Sequence, residues 1–146
     1  MLKYLFYLSI GLFIGCGSAM KAYEVIPAKK IDEKRLNFAH EMSLKLLTKM
    51  KEGSFYPLTE EEATPQMVRG LNEDLQRLSY MQIEAGYGEF RSMEFYELVK
   101  EDSTNGNELY RFRSTFGQES LMEVRSVLDK QGKLAGFFVL PWSEHL

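Results

Sequence analysis

Four runs in the last third of the chain, 89–101, 108–117, 120–129 and 133–141, are strand-like and are separated by turn chemistry. Alternating side chains point to opposite faces of a strand. Consecutive strands with tight connections pair as an antiparallel meander. Each connection suits a tight turn. Ser103-Thr104-Asn105-Gly106-Asn107 tolerates positive φ, and Gly117-Gln118-Glu119 starts with Gly. Asp129-Lys130-Gln131-Gly132 has Asp first and Gly last, as type I turns prefer. The expected sheet therefore has four antiparallel strands.

The alternation also sorts the faces. Tyr110, Phe112, Ser114 and Phe116 share one side of the second run, with Leu109, Arg111, Arg113 and Thr115 on the other. In the third, Met122, Val124, Ser126 and Leu128 oppose Leu121, Glu123, Arg125 and Val127. The apolar sets are expected to face a helical layer. The charged set Arg111, Arg113, Glu123 and Arg125 suits cross-strand ion pairs on an outer face. The fourth run carries Phe137, Phe138, Val139 and Leu140, apolar on both sides. It should be central, or be covered by a partner subunit or by the chain end.

Upstream the period changes to that of a helix. Leu36, Ala39, Met42, Leu46, Leu47 and Met50 recur at helical spacing, which predicts a helix over 32–52 ending at Gly53. Thr59-Glu60-Glu61-Glu62 has capping-box order and suits a single turn. Thr64 as N-cap and Pro65 at N1 open a second long helix. Its expected buried stripe is Val68, Leu71, Leu75, Leu78 and Met81 or Gln82, and Gly86-Tyr87-Gly88 ends it. Gly70 within it is unfavourable by about 1 kcal/mol relative to Ala, which close approach of a neighbour would explain.

Residues 1–19 read as an export leader rather than as part of the fold. Lys3 is the positive start, residues 4–14 are almost continuously apolar, and Gly15 to Ala19 are small residues and Cys16. The apolar run is short for a membrane span, which needs about 20 residues. Cys16 is the single cysteine, so no disulfide can form within one chain. Leu12-Phe13-Ile14-Gly15-Cys16 resembles a bacterial lipobox, with Phe13 where Leu is usual. Three routes fit: cleavage before a lipid-bearing Cys16, cleavage after Ala19, or an uncleaved anchor. Residues 20–34, with Pro27 and several lysines, read as a tether, and 35–146 as one α+β domain.

Among 146 residues the net charge is −3, with no basic stripe for nucleic acid. There is no phosphate-binding glycine loop, no His/Cys metal spacing and no nucleophile elbow. His40-Glu41 lacks the partner of a zinc-protease motif, and His145 is one residue from the end. No cofactor or metal is expected. Candidate ligand contacts are the inward polar residues Tyr110, Ser114 and Ser126, with His40 on the first helix.

Three stretches carry a family resemblance: Glu89-Phe90-Arg91-Ser92 after a helix and Gly, the continuous run from Leu121 to Phe138 through Asp129-Lys130-Gln131-Gly132, and Pro141-Trp142. They resemble secreted nuclear-transport-factor-2-like domains of unknown function, which stand alone or precede serine-hydrolase and α/β-hydrolase domains. The resemblance implies a cone: two or three helices on a curved four-stranded antiparallel sheet, with a cavity between the layers. No catalytic residue travels with it. The expectation is an exported, non-catalytic binding or assembly module of the bacterial envelope. Its partners would be the membrane through a lipid on Cys16, a second copy through the outer sheet face, and a small apolar ligand. The alternative is a small cone-fold enzyme, isomerase- or hydrolase-like, using polar groups of the pocket.

Overall fold

The computed structural model describes residues 23–101 and 105–146. The leader, Cys16 and the first residues of the expected tether lie outside the described residues, as do Ser103 and Thr104 of the first turn. Among the described residues the element order is β1 (Tyr23–Val25), α1 (Glu33–Lys51), α2 (Pro65–Gly70), α3 (Glu73–Tyr87), β2 (Phe90–Glu101), β3 (Glu108–Phe116), β4 (Ser120–Leu128) and β5 (Leu134–Pro141). The protein is α+β. Its helices pack on one open antiparallel sheet of order β1–β2–β3–β4–β5.

Among the described residues the sheet has five strands, not the expected four. The additional strand, β1, comes from the stretch read as a tether. Tyr23, Glu24 and Val25 pair with Glu101, Lys100 and Val99, and Ile26 N–H donates to Leu98 O at 2.9 Å. Backbone pairing of this kind needs no side-chain alternation, so the residues gave no periodic sign of it. The fold therefore begins upstream of residue 35.

α1 forms as its sequence dictates. The Asp32 carboxylate accepts from Lys34 N–H at 2.9 Å and Arg35 N–H at 3.2 Å, satisfying two donors of the first turn. At the other end Gly53 has φ 74°, and its N–H donates to Met50 O at 3.0 Å. The face with Ala39, Met42, Leu46, Leu47 and Met50 is buried against the sheet. The turn over Thr59–Glu62 also forms, with Thr59 N–H on Glu62 Oε2 at 3.2 Å.

The second long helix is two helices. α2 stops at Gly70, and Asn72 starts α3 by accepting from Leu75 N–H at 3.1 Å. Gln76 explains the break. Its buried side-chain amide donates to Leu71 O at 2.9 Å and Tyr56 O at 2.8 Å, and accepts from Tyr56 N–H at 2.9 Å. One amide thus holds the α2 terminus and the loop before it. The buried side of α3 follows Gln76 and Tyr80, while Leu78 and Met81, expected inside, are 53% and 60% exposed. Gly70 does not serve close approach either: a Cβ there would meet nothing within 4 Å.

Close approach occurs instead where α3 ends. Gly88 and Gly117 have φ of 89° and 56°, and a Cβ on Gly88 would lie 2.5 Å from Gly117 Cα. Only two glycines let the chain leaving α3 cross the β3–β4 turn at this distance. Gly117 N–H donates to Glu89 O at 2.8 Å across the crossing.

The meander is antiparallel throughout, as expected, with β-bulges in β2 near Arg91 and Tyr96 that bend the sheet. Tyr110, Phe112, Ser114, Phe116, Met122, Val124, Ser126 and Leu128 are all buried on the helical side, as the alternation requires. β5, apolar on both faces, is an edge strand rather than a central one. Phe137 and Val139 pack on the core, and the Phe138 ring lies over Gly136 on the outer face.

Candidate functional site

The inward polar residues are engaged with the protein itself. Ser126 on β4 and Ser43 on α1 hydrogen-bond at 2.6 Å, and Ser43 Oγ also bonds Ala39 O at 2.7 Å. Ser114 Oγ donates to Met122 O at 2.9 Å. Tyr110 Oη donates to Glu108 Oε2 at 2.9 Å. Tyr110, Ser114 and Ser126 are within 1% of full burial, so no solvent-filled space borders them. His40 is half-buried and tilts against Phe112, with ring centroids 5.6 Å apart. Tyr110 and Ser126 are thus opposed across β3 and β4, whereas Ser114 engages Met122 O and His40 packs on Phe112.

Tyr110 belongs to a charged network at the end of the inner face. Glu108 accepts from Arg35 Nε at 2.6 Å and Lys100 Nζ at 2.9 Å as well as from Tyr110. Burial pushes the Glu108 carboxyl up, but its donors Lys100, Arg35 and Tyr110 outweigh burial and hold it below the usual carboxylate value. Burial, then Glu108, pushes the Tyr110 phenol far above its ordinary value. Tyr110 is thus a proton donor fixed in one bond. Arg35 Nη2 also donates to Asp129 O at 2.7 Å, tying α1 to the β4–β5 turn.

A second constellation lies on the outer face. Arg111 binds both Glu123 oxygens, through Nε at 2.6 Å and Nη2 at 2.9 Å. Its Nη1 donates to Glu97, and its Nη2 also donates to Ser143 O in the chain end. Arg125 Nε shares Glu123 Oε1. Two aromatic rings close the arrangement. The Arg111 guanidinium lies 5.4 Å from the Tyr96 centroid and 5.5 Å from that of Trp142, and these rings meet edge-on at 4.8 Å. Two cations and two carboxylates balance, which makes their burial tolerable. Burial raises the Glu123 carboxyl, but Arg111 and Arg125 outweigh it and hold the group below its usual value. Arg111 and Glu123, expected among cross-strand ion pairs of the outer face, do pair there, and both are fully buried beneath the chain end.

Around this cluster the face is open. Arg113 is exposed, with its guanidinium 5.1 Å from the Trp142 centroid. Ser92, Met93, Glu94, Arg113, Thr115 and Leu121 line an open depression of about 390 Å³ beside it. The sequence pointed to Arg111, Arg113, Glu123 and Arg125, but not to Tyr96, Glu97 or Trp142. Trp142, the single tryptophan, directly after Pro141, was the available signal.

Among the described residues no group of three His, Cys, Asp or Glu side chains is placed to hold a metal, and no helix is long and apolar enough to cross a membrane. Comparison with protein-family models, curated proteins and solved structures finds no match. The class established is an α+β domain with helices on one face of a five-stranded antiparallel meander.

Proposed function

We infer that this chain is a non-catalytic assembly module of the bacterial envelope, retained at the membrane by a lipid on Cys16. The observation that carries the reading is the engagement of every inward polar candidate. Tyr110, Ser114 and Ser126 each spend a hydrogen bond inside the protein, and all three are buried away from any substrate. The outer face is the opposite: a rigid charge and aromatic cluster carrying exposed Arg113, Tyr96 and Leu121. That combination supports recognition by surface rather than chemistry in a cleft. It also gives assembly more support than capture of a small apolar ligand between the layers. The bent sheet with helices on one face supports a nuclear-transport-factor-2-like cone as the architectural reading. The Leu12-Phe13-Ile14-Gly15-Cys16 run supports lipid retention.

The test is complementation of a deletion strain with protein abundance followed by blot. His40→Ala and Tyr110→Phe are expected to complement, whereas Arg113→Glu is expected to fail at normal abundance. Loss of function in His40→Ala or Tyr110→Phe with undiminished protein would overturn the non-catalytic reading. Cys16→Ser should move the protein from the membrane to the soluble fraction. A mature chain starting at Met20 would instead mean ordinary secretion.

A further inference from the structure

We propose that β5 is a pairing edge, and that its partner is the β5 strand of a second copy, joined antiparallel about a two-fold axis at Phe138. Three observations converge. The first is composition. Edge strands are usually blunted by charges, because an open ladder invites pairing. The run Leu134-Ala135-Gly136-Phe137-Phe138-Val139-Leu140-Pro141 has no charged residue, yet it ends the sheet.

The second is the phase of the backbone. Trp142 N–H donates to Leu121 O at 3.3 Å, and the register pairs Leu140 with Glu123 and Phe138 with Arg125. Bonding alternates along an antiparallel pair, so Trp142, Leu140, Phe138 and Gly136 direct their backbone groups to β4. Phe137, Val139 and Pro141 direct theirs to the open edge. Proline sits where its missing N–H removes no bond to β4. Among the described residues that edge is engaged only at Leu134, which bonds Glu62 O and Thr64 N–H, each at 2.9 Å.

The third is self-complementarity. With Phe138 opposite Phe138 of the second copy, Phe137 falls opposite Val139 and Val139 opposite Phe137. Both are residues whose N–H and C=O point to the open edge, so four backbone hydrogen bonds form. Moving the axis to Val139 also allows four bonds but brings Pro141 opposite Phe137 in both pairs, so the Phe137 C=O of each copy is left without a donor. Moving it to Phe137 brings Val139 opposite Ala135, at the irregularity in the β4–β5 register. The favoured register also matches faces: Phe137 and Val139 extend both cores, and the two Phe138 rings meet on the outer side. No like charges meet. The product is a continuous ten-stranded sheet, an isologous pairing that closes at two copies.

The pairing goes beyond the envelope reading. Its test follows association alone, so either can fail while the other stands. The full-length chain carrying Cys16→Ser and Phe138→Cys has a single thiol at the axis. Opposed residues of a non-hydrogen-bonded pair have Cα atoms about 4.5 Å apart, within the roughly 4.4–6.8 Å a disulfide spans. Mild oxidation is expected to convert most of the chain to a disulfide-linked dimer on a non-reducing gel. The same chain with Leu121→Cys, a half-exposed outer-face position, should remain at least tenfold less linked. Phe138→Lys, with its fold checked by circular dichroism, should sediment as a monomer at concentrations where the unchanged chain sediments as a dimer. Linkage through Leu121→Cys instead would place the contact on the outer face and overturn the proposal. A monomeric unchanged chain at high micromolar concentration, or Phe138→Cys linked in cells to a different protein, would overturn it too.

Discussion

Arg111 on β3 holds both carboxylate oxygens of Glu123 on β4, on the sheet face turned away from the helices, and both side chains are sealed from water. The two are not direct cross-strand partners, since Arg111 lies opposite Arg125 and Glu123 opposite Arg113. The diagonal reach lets one carboxylate serve two arginines, and the chain end covers the pair. Removing one partner leaves a buried charge uncompensated, so Glu123→Gln and Arg111→Met should each destabilise by about 3–5 kcal/mol. The double change Arg111→Met with Glu123→Leu should lose much less than the sum. Urea unfolding of the four proteins measures the difference directly.

Acid should weaken the fold through the same groups. Burial raises the carboxyls of Glu108 and Glu123, but their hydrogen-bonded partners bring both below the ordinary value of 4.5. A carboxylate depressed in the folded state contributes stability that is complete above its unfolded value. That stability is lost as pH falls through the folded value. Unfolding free energy should therefore hold steady above about pH 5 and fall below the ordinary carboxylate value near 4.5. The Arg111→Met, Glu123→Leu protein should show a shallower fall. Equal slopes for the two proteins would mean that Glu123 does not drive the acid loss.

The buried Ser43–Ser126 contact sets a different expectation. Ser126→Ala leaves Ser43 bonded to Ala39 O but without its cross-layer partner, at a cost of about 1–2 kcal/mol. With Ser43→Ala added, both hydroxyls are gone and no polar group is stranded at the contact. The double variant should be less destabilised than the two single variants summed, by about 0.5–1 kcal/mol. Strict additivity in thermal unfolding would argue that the contact contributes nothing specific.

At the crossing of α3's exit and the β3–β4 turn, Gly88→Ala should be severe. The new Cβ would stand 2.5 Å from Gly117 Cα, a backbone atom that cannot rotate away, at a φ of 89°. A loss of at least 2 kcal/mol is expected, above the roughly 1 kcal/mol of a strain-free glycine change. Gly70→Ala, in open space, should be neutral or stabilising by up to about 1 kcal/mol. The melting temperature should fall for Gly88→Ala and stay level or rise for Gly70→Ala.

Much of this architecture was legible beforehand because it rests on local rules. Period-two alternation named the inner face from Tyr110 to Leu128, and the turn residues placed the strand ends. Asp32 and Gly53 bounded α1. These features depend on neighbours along the chain, so the order of residues by itself determined them. The alternation also named Arg111 and Glu123 as occupants of the outer face.

Tertiary structure decided the rest, wherever a residue's surroundings come from distant parts of the chain. Tyr23–Val25 became a strand because β2 offered an edge to pair with, and backbone pairing leaves little trace in side-chain pattern. Gln76 displaced Leu78 from the interior because its amide satisfies Leu71 O at the break between α2 and α3 and both backbone groups of Tyr56 in the loop before α2. Alternation could assign Arg111 and Glu123 a face, but not their burial. That came from Trp142 and Ser143 folding back over β3, and a period of two says which side a residue faces but not what will later cover it.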